Sequence, residues 1–266
     1  ETAQIMEYSS KLEAKTEEQA RTARQLREAN EKLTQISVQK DAFLSQISHE
    51  LRTPMTSIRA FSEILRDSEG LSEEERNKYA SIILEEATRL TRLLDDLLDL
   101  SVLENGQVVL NSQTGQLSDM LDRAVSAAGV QDRLRIHRRR EAEKITLHTD
   151  LDRLAQVFIN LISNAGKYCE APDPALTIRP QAENGNLVVD FIDNGPGIPT
   201  DQQAMIFEKF SRIGQTKAGG AGLGLAICRE IMGRLGGDIT YLPGQEGAAF
   251  RVVLPLREAA TVQAAQ

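Results

Sequence analysis

Cysteine is scarce in this chain: Cys169 and Cys228 are the only two in 266 residues. They stand in no CxxC or Cys/His spacing, which argues against a disulfide framework and a zinc site and fits a reducing compartment. Long apolar runs are missing as well. No stretch approaches the roughly 20 residues that span a bilayer, and no signal-peptide pattern is present. Basic residues are outnumbered, 31 against 39 acidic ones for a net charge of −8, so the chain as a whole has no electrostatic footprint for nucleic acid. The one basic run, Arg133, Arg135, Arg138, Arg139 and Arg140, lies beside Glu141 and Glu143 and reads as a solvated strand edge or loop. These absences point to a cytoplasmic chain without a membrane segment of its own. A start at Glu1 instead of Met leaves room for further segments, a membrane anchor among them, upstream.

Glycine and proline are absent from residues 1–39, where charged residues are dense and apolar ones recur at heptad-like spacing: Ile5, Leu12, Leu26 and Leu33, with Tyr8, Ala29 and Ile36 alongside. This pattern predicts a helix that supercoils on a partner, with a seam weakened by Lys15, Gln19 and Thr22. It continues through Phe43, Ile47 and Leu51 to about Arg66. Asp67, Ser68, Glu69 and Gly70 then end it. Ser72 followed by Glu75 reads as a capping box opening a second helix, with Ile83, Leu90, Leu94 and Leu97, that runs to about Leu103. Two helices with broad apolar faces cannot cover those faces alone. Each buried Leu contributes roughly 1.5–3 kcal/mol, so two hairpins pairing as a homodimeric four-helix bundle is the expected solution.

After Gly106 the texture changes to alternation and short helices. Strands are expected at Val108–Leu110, near Leu134 and Ile145, over Ala175–Pro180 and Asn186–Ile192, and near Asp238–Leu242 and Ala248–Leu254. Helices are expected over Leu117–Ala128, Leu151–Lys167 and Leu223–Leu235. The mixed order predicts an α/β sandwich with helices on one face of a mixed sheet. The fold class is therefore α plus α/β. Its divisions are a coiled-coil helix over 1–39, a helical hairpin over 40–104, an α/β module over 105–258 and a tail over 259–266.

Within the first helix, His49 lies about 200° around the axis from both Ile47 and Leu51, so its ring faces water. Glu50 can orient the imidazole and take its proton during nucleophilic attack. Thr53 lies one turn on, on the same face, and Pro54, which cannot donate to the Glu50 carbonyl, should bend the helix. Taken alone, a His–Glu pair on a helix fits a solvated polar face equally well.

A second set lies at Asn160, Asn164 and Lys167, spaced i, i+4 and i+7 on one helix face. The amide carbonyls suit a hard Mg²⁺ that keeps waters and shares phosphate oxygens, and the ammonium suits the phosphates. Asp193 ends a strand before Gly195 and Gly197. An aspartate there can accept the amino hydrogens of adenine while the glycines let the backbone approach the base. Gly219, Gly220, Gly222, Leu223 and Gly224 enter a helix whose N-terminal amides suit phosphate. The run follows loops instead of opening a strand–turn–helix unit with an acidic residue about 20 positions on, so a dinucleotide fold does not fit. Between these segments, Phe207 and Phe210 would anchor the stretch from Ser211 to Ala221, which reads as a lid over the phosphate end of the site.

The string from Phe43 to Pro54 resembles the H box of histidine kinases with the dimerisation and phosphoacceptor domain. The segments around Asn160, Asp193, Phe207 and Gly220 resemble, in order, the N, G1, F and G2 boxes of the ATPase superfamily that these kinases share with gyrase and certain heat-shock chaperones. The resemblance covers about Lys40 to Leu256. It implies that His49 is the phosphoacceptor, Glu50 its general base, and Thr53 a residue that positions water when the partner is dephosphorylated. It implies that Asp193 binds adenine, that Tyr168 and Ile198 line the adenine pocket, that Asn160 and Asn164 hold Mg²⁺, and that Arg212 reaches the γ-phosphate. The implied partners are a second copy of the chain and the receiver domain of a response regulator; ATP and Mg²⁺ are the implied cofactors. Cys169 departs from the pattern, standing where a small hydroxyl residue is frequent, and Thr216 and Lys217 match no position. Two rival readings are an ATP hydrolase or clamp of the same superfamily, and an inactive dimeric scaffold.

Overall fold

The computed structural model describes residues 2–106, 109–211 and 222–256, with side chains from residue 15 onward. The chain divides into two compact units, residues 1–53 and 54–266, each described by itself below.

One helix, α1, covers Thr2–Asp67. In the first unit every described side chain from Lys15 to Ala42 is exposed, including Leu26, Leu33 and Ile36 of the heptad pattern; the side chains of Ile5, Tyr8 and Leu12 lie outside the described residues. Threonines inside this stretch bond back to the preceding turn, Thr22 Oγ1 to the Glu18 carbonyl and Thr34 Oγ1 to that of Asn30, each at 2.9 Å. Burial begins at Phe43 and Ile47 and is deepest at Glu50.

In the second unit, α1 continues from Pro54, and Phe61 stacks on Tyr79 of α2 (Glu73–Glu104) with ring centroids 5.4 Å apart. The turn between them places Gly70 at φ +94°, a conformation that favours glycine. The capping box is present: Glu75 N–H donates to Ser72 Oγ at 3.2 Å and Ser72 N–H to Glu75 Oε2 at 2.9 Å. Helix α2 buries Leu93, Leu100 and Leu103 but leaves Leu84, Leu94, Leu98 and Val102 in water.

The α/β module follows. Strands β1 (Gln113–Gln116) and β3 (Thr146–Thr149) form an antiparallel pair, and a five-stranded sheet has the order β2-β4-β5-β7-β6. Its strands are β2 (Arg135–Arg138), β4 (Ala175–Glu183), β5 (Asn186–Asp193), β6 (Asp238–Tyr241) and β7 (Ala249–Pro255). All neighbours are antiparallel except β2 and β4. Pro180 sits in β4 beyond Ile178, where the β2 ladder has ended, so its missing N–H interrupts no pairing on that side. Helices α3 (Leu117–Ala128), α4 (Leu151–Tyr168) and α5 (Gly224–Leu235) pack side by side, and Phe158 of α4 meets Phe191 of β5 at 5.1 Å in the core. The C-terminal half of α2 packs on α5, where Arg234 donates to the Leu103 carbonyl at the helix end.

Two expectations need correction. The strand expected over Val108–Leu110 is absent from Val109 and Leu110, Val108 lying outside the described residues; the strand is Gln113–Gln116, because the Thr146–Thr149 ladder pairs there, and Asp150 Oδ2 takes the Asn111 N–H at 2.9 Å instead. The basic run is not wholly solvated. Arg138 lies in the edge strand β2 with its side chain largely buried, paired through both Nε and Nη2 to the fully buried Glu143 at 2.9 and 2.6 Å. A carboxylate without solvent keeps its charge only with such a partner.

Candidate active site

In the first unit the His49 side chain is 72% exposed while its neighbour Glu50 is buried. Consecutive residues point about 100° apart on a helix, so one can face water while the next faces inward. His49 Nδ1 lies 4.0 Å from Glu50 Oε1, and Gln46 Nε2 donates to the same oxygen at 3.4 Å from one turn earlier. Glu50 is thereby held on the Nδ1 side of the ring. Among the described residues no contact is recorded for Nε2, and the ring stands largely in water. Thr53 is exposed one turn on, its Oγ1 donating to the His49 carbonyl at 3.3 Å.

The remaining site residues belong to the second unit. Asp193 closes β5, one residue beyond the expected strand end, and its carboxylate is buried. Burial raises its pKa, while donors from Gly195 and Ala248 pull the other way. Both donors meet Oδ1, each at 2.9 Å, and among the described residues none meets Oδ2. The carboxylate thus has one saturated oxygen and one available acceptor.

Glycines press around it for want of space. A Cβ on Gly195 would lie 3.1 Å from Cys169 Cα, and one on Gly247 would lie 2.3 Å from both oxygens Asp193 O and Oδ1. Gly197, at φ +73°, backs onto Gly247. The contacts of Gly247 and Ala248 with Asp193 have no signal in the sequence: nothing local marks a turn between β6 and β7 as touching a residue 55 positions earlier. Ile198 is half-buried, its carbonyl accepting from Gln203 Nε2 at 2.8 Å, and Tyr168 is exposed at the end of α4.

Asn160 and Asn164 lie half-buried on α4, four residues apart. The Asn160 amide lies so close to Gly224, at the start of α5, that a Cβ there would meet its Oδ1 at 2.6 Å. The chemistry of the Asn160 amide beside that bare backbone, with the Asn164 amide one turn on along α4, fits a Mg²⁺ that shares its coordination with phosphate and water. Among the described residues no three His, Cys, Asp or Glu side chains cluster into an all-protein cage. Lys167 lies in the field of α2, where burial and Arg92 lower its pKa and Asp96 raises it. Leu223, fully buried, stands at the N-cap of α5 with no side chain capping the first turn, and Gly222 adopts φ +71°.

Phe207 is buried against Phe250, edge to face at 6.3 Å, and Arg229 covers its ring at 5.3 Å while donating to its carbonyl. Beyond it, a Cβ on Gly222 would strike the Ser211 carbonyl at 2.7 Å, so the two ends of the intervening segment meet. Arg212, Gly219, Gly220, Thr216 and Lys217 lie outside the described residues. The expected site residues Asp193, Gly195 and Gly197 are thus brought together around one carboxylate, and Asn160 meets the start of α5.

Comparison with known proteins bears on the family and the fold. Residues 149–258 match the family model of the histidine kinase-, DNA gyrase B- and HSP90-like ATPases, and residues 39–106 match the His Kinase A phospho-acceptor domain. Sensor protein KdpD of Escherichia coli strain K12 is 36% identical over 225 residues, 83% of this chain and 25% of that protein, so the chain spans a quarter of its relative's length. The Acinetobacter baumannii histidine kinase AdeS superposes with a TM-score of 0.62 at 26% identity, covering 79% of this chain and 98% of that one. The histidine kinase ThkA, solved in complex with the response regulator TrrA, shares the fold at a TM-score of 0.64 and 24% identity, covering 81% of this chain and 61% of that one. On these matches, the chain belongs to the sensor histidine kinase family.

Proposed function

We propose that the chain is a protein-histidine kinase that phosphorylates itself on His49 with ATP and passes the phosphoryl group to an aspartate of a response regulator. His49 Nε2 attacks the γ-phosphorus, the bond to the ADP oxygen breaks, and Glu50 accepts the proton leaving Nδ1. ADP departs and a phosphoramidate remains on the ring. An aspartate oxygen of the receiver domain then attacks that phosphorus, the N–P bond breaks, and His49 regains its proton. Asp193 Oδ2 accepts from the adenine amino group, and Asn160 and Asn164 with the α5 N-terminus hold the phosphate end. Bound Mg²⁺ would neutralise charge on the phosphate oxygens during transfer. ThkA in complex with TrrA is the precedent for the partner.

The observation that carries this reading is the contrast at one helix step: a histidine in water beside a buried carboxylate on its Nδ1 side. That arrangement serves a nucleophile and not a core histidine. We assign the remaining roles on the same basis. A homodimer would cover the exposed apolar residues of α2, and Thr53 would position water for dephosphorylation of the regulator. The division into a coiled-coil helix, a phosphotransfer hairpin over 40–104 and an ATP-binding module over 105–258 follows the same reading, and so does a cytoplasmic setting where ATP is supplied.

The test is incubation with γ-labelled ATP. The chain should acquire acid-labile, base-stable label. His49→Gln should abolish it, a loss of at least about a thousandfold, while retaining ATP binding. Label persisting on the variant overturns the assignment, release of free phosphate alone indicates a hydrolase, and neither product indicates a scaffold.

A further inference from the structure

The residue after the adenine-accepting carboxylate makes an unusual number of contacts for an exposed loop side chain. Asn194 Oδ1 accepts from the Ala175 N–H at 2.8 Å and from the Cys169 thiol at 3.1 Å, and Asn194 Nδ2 donates to the Asp173 carbonyl at 2.9 Å. Its own N–H donates to the Ala175 carbonyl at 3.2 Å. One amide thus grips three residues of the segment that joins α4 to β4.

This grip bears on the site because of what lies on either side. The Asp193 N–H donates to the Ala248 carbonyl, so Asp193 is tied toward the β7 side and Asn194 toward the β4 side. The loop then passes close over Cys169, so that a Cβ on Gly195 would lie 3.1 Å from the Cys169 Cα, a tight contact. Cys169 follows Tyr168, the pocket wall implied by the family resemblance. The spacing between that wall and the Asp193 carboxylate therefore depends on the Asn194 amide. Neutral hydrogen bonds of this kind contribute modestly to stability but fix geometry, and small misplacements weaken binding strongly.

We infer that Asn194 is a positioning residue for nucleotide affinity: it holds the Cys169–Ala175 segment against the Asp193 loop and thereby sets the width of the adenine slot. The inference rests on the reading that Asp193 receives adenine. The phosphate end of the site, at Asn160, Asn164 and α5, is built independently of it. Loss of Asn194 should therefore raise KM for ATP and leave the saturated rate nearly intact.

The two cysteines supply an internal readout. Cys169 is held by Asn194, whereas Cys228 is fully buried in α5, its pKa driven up by burial. In Asn194→Ala, KM for ATP in self-phosphorylation should rise about tenfold with the saturated rate within about twofold. Iodoacetamide should modify Cys169 faster than in the parent, ADP should suppress that modification, and Cys228 should stay unmodified. Asn194→Asp, which keeps the acceptor oxygens and loses only the donor to Asp173, should show a smaller rise in KM. An unchanged KM in both variants overturns the inference, as does modification of Cys228 in both, which would assign Asn194 to folding alone. Asp193→Asn separates the two layers: if it too leaves KM unchanged, the adenine assignment itself fails, whereas a large rise there with unaffected Asn194 variants sinks only the role of Asn194.

Discussion

The helical segments and the α/β module handle their apolar residues in opposite ways. Helix α2 leaves Leu98 65% exposed and Leu94 45% exposed one turn apart, and Leu26 and Leu33 of α1 lie in water. In the module Phe158, Phe191, Leu154 and Ile162 are fully enclosed by elements of the same chain. Helices with unpartnered apolar stripes are incomplete as a single copy, whereas a sheet covered by three helices closes its own core. Assembly should therefore govern one region and ligand chemistry the other.

That contrast can be broken most sharply at α2. In the proposed homodimer, replacing Leu94 and Leu98 by Lys together should raise the dissociation constant by about a thousandfold, from four apolar side chains that would no longer be buried per dimer. ATP binding by the module should not change. Sedimentation equilibrium beside nucleotide titration checks both halves, and a dimer that survives would place the interface on another face.

A subtler probe lies within α1. Thr53→Ala removes a hydroxyl but neither His49 nor Glu50, so dephosphorylation of the phosphorylated regulator should fall about tenfold while self-phosphorylation persists. Release of phosphate from the labelled regulator measures this. An unaltered rate would reduce Thr53 to its bond with the His49 carbonyl.

The smallest effect concerns the seam where α2 meets the module. Burial, then the charge of Asp99, pushes the Asp96 carboxyl up to about 6, and Lys167 and Arg92 pull it down only in part. A carboxyl whose folded pKa exceeds its unfolded value near 3.8 binds its proton more tightly in the folded state. Stability should therefore decline as pH rises from about 4 to 6, and the charged form carries the full cost at neutral pH. Asp96→Asn should flatten that slope and gain about 1 kcal/mol at pH 7, discounted for solvent screening at a half-exposed site. Urea midpoints at pH 4 and pH 7 test it; a variant with an unchanged slope would show that Asp96 does not titrate there.

Legibility followed the range of the interaction. The Ser72–Glu75 capping box was readable because both partners fall within one turn. The outward ring of His49 followed from helical periodicity alone, and the α/β element order from changes in that period. The strand at Gln113–Gln116 was misplaced because its position depends on a ladder with Thr146–Thr149, beyond any local signal. The pairing of Arg138 with Glu143 hid inside an apparently solvated basic run, since composition does not report which charge loses its water.

By itself the sequence determined the helix-forming stretches, the solvent-facing histidine, the carboxylate at a strand end, and the order of the motifs, all of which depend on periodicity and short spacing. Only the tertiary structure decided which oxygen of Asp193 stays available, that Ala248 saturates the other, that Gly247 has no room for a side chain, and that Asn194 grips Cys169 and Asp173. The physical reason is that a hydrogen bond needs its partners within about 3 Å, and residues far apart in sequence reach that distance only once the sheet has set their register.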